Sequence, residues 1–249
     1  MKASYWFIAV FALFSGCASI EPLVQDFNIV SVPDEIKIGE AMTQQVSKEM
    51  PIESDPSLNA EVNRVGQRLL AGLARRDFQY RFYVVKDDTP NAFTIPGGSV
   101  YIHTGLLKFV SGDSELAGVM GHEIGHAYLR HPAKSISRAY GLEYLTSFLF
   151  KGQTTAQSSG ALMNLLKGGV LTRYGREDEN QADDMGYYLA KRAGYSSDGL
   201  LNFLRKLQQL QKGGSTLPFL SSHPPTTERI ARLEARIHND SLTTTSAAY

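Results

Sequence analysis

The chain has 249 residues, 25 basic and 25 acidic side chains, 43% hydrophobic residues, 10% aromatics and one cysteine. That length suits one large domain or two small ones with an ample core, and the hydrophobic content excludes a disordered chain. Balanced charge offers phosphates no general basic field, which argues against a nucleic-acid partner. One cysteine makes neither an internal disulfide nor a thiolate cage, so a bound metal would need His and carboxylates.

Residues 1–16 read MKASYWFIAVFALFSG: Lys2, an apolar run from Tyr5 to Phe14, then Ser15-Gly16 before Cys17. A basic start, a short apolar stretch and small residues ahead of a cut describe a signal peptide. The run falls short of the roughly twenty residues that a membrane span needs. Small residues immediately before a cysteine resemble the lipobox of bacterial lipoproteins. That resemblance implies that Cys17 becomes the lipid-bearing first residue, and Ala18 after it is compatible with transport to an outer membrane. Residues 17–33, with breakers at Pro22 and Pro33, then read as a lipidated tether.

Over residues 34–50, Ile38, Met42 and Val46 recur at helical spacing. Asp55-Pro56 opens a second helix whose apolar positions are Leu58, Val62, Val65, Leu69 and Leu73. Residues 80–85 and 99–103, rich in aromatic and β-branched side chains, predict strands, with Pro96-Gly97-Gly98 as the turn. Asp113 can cap the helix that follows, which runs until Pro132. Residues 133–150 look helical, 151–160 (KGQTTAQSSG) form a polar loop that could cover a cleft, and helices return over about 176–193, 198–212 and 225–237. The expected body, 34–238, is therefore α+β and mostly helical, followed by a flexible tail over 239–249.

Within the helix after Asp113 lies Gly121-His122-Glu123-Ile124-Gly125-His126. Four residues of α-helix bring both imidazoles to one face, a spacing that suits two nitrogens on one tetrahedral Zn²⁺. Chance would supply about 0.007 such patterns in a chain with this His and Glu content. Glu123, beside the first histidine, can reach a metal-bound water and act as base. Gly118, Gly121 and Gly125 each cost the helix about 1 kcal/mol against alanine, which makes sense where another element must come close. A catalytic zinc wants a third protein ligand. Glu179 and Asp183, four apart at the start of a later helix, share a face; one could ligate while the other holds a histidine's second nitrogen, and spacing leaves open which. Glu177 and Asp178 suit a helix N-terminus by charge alone.

His122-Glu123-Ile124-Gly125-His126 followed by Glu179 and Asp183 resembles the HtpX-type zinc metallopeptidases, the family that includes the CAAX prenyl endopeptidases. Asn91-Ala92-Phe93 with Pro96-Gly97-Gly98, Thr104-Gly105-Leu106-Leu107, and Ser222-His223-Pro224-Pro225-Thr226 with Arg229 match as well, so the resemblance covers about residues 35–237. It implies a zincin-like domain with a small sheet beside the zinc helix. It also implies one Zn²⁺ on His122, His126 and Glu179, Glu123 as base and Asp183 behind a ligand. Unlike the integral-membrane relatives, the chain resembles an exported lipoprotein branch.

His223 is the candidate second electrophile near the oxyanion, with capping of the next helix as the plainer role and blocking of the zinc in a latent precursor as a third. The last predicts low basal activity that rises when His223 is replaced. Arg229 suits a surface or a carboxylate-pairing role equally. His131, before Pro132, suits the C-terminal dipole of its helix, and His103 and His238 look ordinary. A substrate peptide could add to the strand around 92–95 or 99–102, with Asn91, Ala92 and Phe93 in contact. The implied function is a lipid-anchored zinc endopeptidase at the outer membrane, facing the periplasm, that acts on misfolded or unassembled polypeptides. The alternative is a chaperone-like envelope assembly factor with a structural or regulatory metal.

Overall fold

The computed structural model describes residues 28–139, 164, 166–169, 172–214 and 217–246. The expected signal peptide, Cys17, the tether as far as residue 27 and the loop 151–160 lie outside them. The first helix, α1, spans Val32–Glu49 and buries Ile38, Met42 and Val46. Ser31 starts it: its hydroxyl accepts from the Asp34 amide at 3.3 Å. Helix α2, Pro56–Leu70, begins on the Asp55 carboxylate, which accepts from the amides of Ser57 and Leu58 at 2.7 and 3.3 Å. Its face of Val62, Val65 and Leu69 goes into the core, as the periodicity requires.

Strands β1 (Arg81–Val85), β2 (Ala92–Ile95) and β3 (Ser99–His103) form one sheet in the order β1-β3-β2. β1 runs parallel to β3 and β2 antiparallel to it. The antiparallel pair closes through Pro96–Gly98, where Gly97 takes a φ of 80° that favours glycine. β3 is paired on both sides, which withdraws residues 99–102 as a docking edge; β2 keeps one edge free of strand partners among the described residues. Tyr83, Tyr101 and Phe93 stack across the three strands at centroid spacings of 5.0 and 4.9 Å.

The short helix α3 (Thr104–Phe109) leads into α4 (Asp113–Tyr128). Gly112, not Asp113, occupies the cap position, and Asp113 instead takes both ends of the Arg64 guanidinium at 2.6 and 2.9 Å. α4 stops at Tyr128, short of Pro132. Arg130 adopts a left-handed φ of 61°, held by Glu35 Oε2 at 2.6 Å and the Val30 carbonyl at 2.5 Å, and helix resumes over 131–139. The rest of the expected helix over 133–150 lies outside the described residues.

The chain continues through α5 (Arg176–Arg192), α6 (Gly199–Lys212), α7 (Pro218–Ser222) and α8 (Thr227–Ser246). The sequence does not foresee α3 or α7, and α8 carries helix through much of the expected flexible tail. Among the described residues no helix is long and apolar enough to cross a membrane.

Every residue of α4 from Glu115 to Ala127 is buried, so this helix is the axis of the fold. Its glycines are contact points with other backbones. A Cβ on Gly121 would lie 3.0 Å from the Gly186 Cα of α5, and one on Gly186 would lie 2.9 Å from the His122 amide nitrogen. Gly118 meets the Leu200 backbone of α6 in the same way. The α+β, mostly helical expectation holds, with the small sheet lying against the central helix.

Candidate metal centre

On α4, His122 and His126 are 1% and 0% exposed, and their Nε2 atoms lie 3.0 Å apart. The crossing at Gly121 and Gly186 brings α5 close enough to interleave its acids with them. Glu179 sets one oxygen 3.5 Å from each Nε2, whereas Asp183 Oδ1 lies 2.9 Å from the other ring nitrogen of His122, Nδ1. The two carboxylates that spacing leaves interchangeable therefore face different nitrogens. His223 enters from the turn between α7 and α8, with Nδ1 2.9 Å from Glu179 Oε1 and 3.3 Å from His122 Nε2. One donor atom each from His122, His126, Glu179 and His223 falls within 4.8 Å of the others, and all four residues are buried.

This donor set fits one Zn²⁺. Asp183 stands behind Nδ1 of His122, and the Nε2 of this ring faces a second imidazole nitrogen and a carboxylate, all shielded from water. Such atoms repel one another unless a cation lies among them, and three nitrogens with one oxygen is a donor set zinc accepts. The local field favours positive charge. Burial opposes protonation of His122, but Asp183 and Glu179 outweigh it and push its pKa up to about 9. Burial likewise opposes ionisation of Glu179 and Asp183. The charges of His223 and Arg229 hold Glu179 well below the usual carboxylate range, and Arg229 keeps Asp183 below its ordinary value.

Arg229, 2% exposed, is no surface residue. It bonds Asp183 through Nε and Nη2 at 2.8 and 2.6 Å, and its Nη1 lies 2.7 Å from Glu179. Thr226, not His223, caps α8, accepting from the Arg229 amide at 3.2 Å. His131 is not a charged group at a helix end. It is fully buried, contacts His126 Nδ1 at 2.8 Å, and burial pushes its pKa down to about 4. Glu123 is 0% exposed, and neither carboxylate oxygen has a hydrogen-bond partner among the described residues; His223 Nε2 approaches to 3.5 Å.

Ala92 and Phe93 lie on β2, and the Thr94 hydroxyl donates to the Glu123 carbonyl at 3.0 Å, fixing this edge strand against α4. A cavity of about 260 Å³ next to it is lined by Asn91, Phe93, His103, Pro218 and Ser222, the last adjoining His223. Sequence reasoning missed Tyr174, whose ring stacks on His126 at 3.9 Å, and Gln181, which contacts His131. It also passed over Asp178, which is fully buried and bonded to Arg138 at 2.9 Å. An aromatic immediately before the acid-rich helix was the available signal for the first.

The profile described as Peptidase family M48 matches residues 56–237. The chain is 30% identical over 213 residues to the mitochondrial metalloendopeptidase OMA1 of Schizosaccharomyces pombe, covering 84% of this chain and 62% of that protein. It is 30% identical over 212 residues to the beta-barrel assembly-enhancing protease of Yersinia pestis, covering 81% of this chain and 43% of that one. With metalloprotease YcaL of Escherichia coli it shares 32% identity over 160 residues, 64% of this chain and 61% of the relative. The chain thus spans less than two thirds of the length of each.

Proposed function

We propose, because the chain belongs to peptidase family M48, that it is a zinc-dependent endopeptidase of the bacterial envelope acting on misfolded or unassembled polypeptides. The observation that carries the reading is Glu123: a buried carboxylate without hydrogen-bond partners among the described residues, beside a four-donor cluster of which it is not a member. A buried carboxylate left without partners calls for an explanation, and a proton-accepting role supplies one. The name of the Yersinia relative, a protease that enhances β-barrel assembly, supports unassembled proteins as substrates.

His122, His126 and Glu179 would hold the metal, and Asp183 would orient His122 through Nδ1. When bound, zinc supplies Lewis acidity, polarising a peptide carbonyl and making water acidic enough to be deprotonated near neutral pH. Glu123 takes that proton on a carboxylate oxygen and returns it to the leaving amine. Arg229 keeps Glu179 and Asp183 ionised throughout. Substrate backbone pairs with the free edge of β2, and Asn91 and Phe93 face its side chains from the adjoining cavity. His223 has three candidate roles, and its place among the four clustered donors would serve the latent one, with low basal cleavage that rises when the ring withdraws.

The test is metal content and casein cleavage by the purified full-length chain. One zinc per chain is expected; chelation should abolish cleavage, and added zinc should restore it. A chain that binds zinc, never cleaves, and still prevents aggregation of the casein would overturn the reading in favour of the chaperone-like alternative. The proposed anchor rests on the lipobox resemblance around Cys17 and would put the protein on an outer membrane, facing the periplasm. Palmitate labelling in cells should vanish in Cys17→Ala, and label that persists would refute the anchor.

A further inference from the structure

We propose that His131 is a positioning residue that fixes the tautomer of His126, so that His126 presents a bare Nε2 to the donor cluster. The argument follows the hydrogens inward from the far end. His131 Nε2 lies 3.2 Å from Gln181 Oε1 and 3.6 Å from Asp178 Oδ1. A carboxylate and an amide oxygen only accept, so this nitrogen carries the hydrogen. Gln181 is oriented for that role by its own amide group, which donates to Glu177 at 3.2 Å. Asp178 is held by Arg138, which takes its other oxygen at 2.9 Å.

A neutral His131 with hydrogen on Nε2 has a lone pair on Nδ1. That atom faces His126 Nδ1 at 2.8 Å, so the shared hydrogen belongs to His126. The Nε2 of His126 is then unprotonated where it meets His122 Nε2 at 3.0 Å and Glu179 Oε1 at 3.5 Å. Asp183 Oδ1 stands 2.9 Å from Nδ1 of His122, so each zinc-helix imidazole has an acceptor atom behind it.

The backbone is bent to make this contact. In an unbroken helix a residue five places on would point about 140° away from His126. The left-handed Arg130, φ 61°, ends α4 and turns the chain so that His131 returns against His126. A non-glycine residue in that region is strained, and the Glu35 and Val30 contacts to its guanidinium hold it there. Strain maintained by a half-buried ion pair, one residue from a fully buried histidine, fits a functional contact better than a helix end.

The proposal rests on the cluster being a zinc site, but its first test does not. Two-bond proton–nitrogen spectra of the metal-free full-length protein, labelled in histidine nitrogen, should show His126 protonated at Nδ1 and His131 at Nε2. The opposite tautomer at either residue would overturn it. The second test is zinc affinity by chelator competition. His131→Leu removes the acceptor and should weaken zinc binding about 10–100-fold. His131→Asn, which keeps an acceptor oxygen near the Nδ1 position, should bind close to wild type. Equal losses in the two variants, or none in His131→Leu, would reduce His131 to packing. Should His131→Leu fail to fold, the wild-type spectra still decide.

Discussion

Full-length protein carrying Glu123→Gln is expected to hold one zinc per chain and to cleave casein about 10²–10⁴ times more slowly than wild type. Glutamine keeps the shape of the side chain but cannot take up a proton. Glu123 is not among the four clustered donors, so the metal has no reason to leave. The fold has no reason to suffer either: neither oxygen of Glu123 accepts a hydrogen bond among the described residues, and a neutral side chain of the same shape costs no more to bury. Thermal unfolding of the variant should therefore match or exceed wild type. Unchanged cleavage would remove Glu123 from the chemistry, whereas loss of zinc would make it a ligand.

A change of comparable size is expected at Arg229, read in stability. Glu123, Glu179 and Asp183 are three carboxylates that are 0%, 3% and 1% exposed, and Arg229 lies against the last two. The Arg229 guanidinium meets the charges of Glu179 and Asp183, and a bound divalent ion would add to that compensation. Arg229→Leu should cost the metal-free protein about 3–5 kcal/mol, the usual consequence of deleting one partner of a buried ion pair. Urea unfolding measures it. Zinc should recover part of the loss, because binding to the native state alone stabilises it and the ion takes over some of the charge. Arg229→Lys should fall between the two, since an ammonium cannot bridge Asp183 through two nitrogens while also reaching Glu179. A metal-free leucine variant with the wild-type midpoint would refute this charge balance.

The parts of the site that sequence made legible are those built within one helix. His122 and His126 share a face of α4, and Glu179 and Asp183 a face of α5, because helical geometry is local. Which acid meets which nitrogen depends on how the two helices cross, and that is set by the close approach of Gly121 to Gly186. The glycines signalled a crossing but not its partner. His131 was misread for the complementary reason. Its direction depends on Arg130, whose conformation is held by Glu35, 95 residues earlier. Helix periodicity carries no trace of such a contact. In the sheet, composition identified β1 and β3, but only the pairing order makes β3 central and leaves β2 with the free edge.

The seam between Gly121 and Gly186 also has a kinetic consequence. The two imidazoles of α4 come together as soon as that helix forms, on the timescale of local structure. Glu179 joins them only after α5 has docked, a contact that must first close the long stretch of chain between them. A newly made chain can offer a passing zinc ion two nitrogens early, and the full donor set only when the core is assembled. A bound ion would therefore act as the latch of a finished fold rather than the template for an unfinished one, and release of metal should track the opening of this seam.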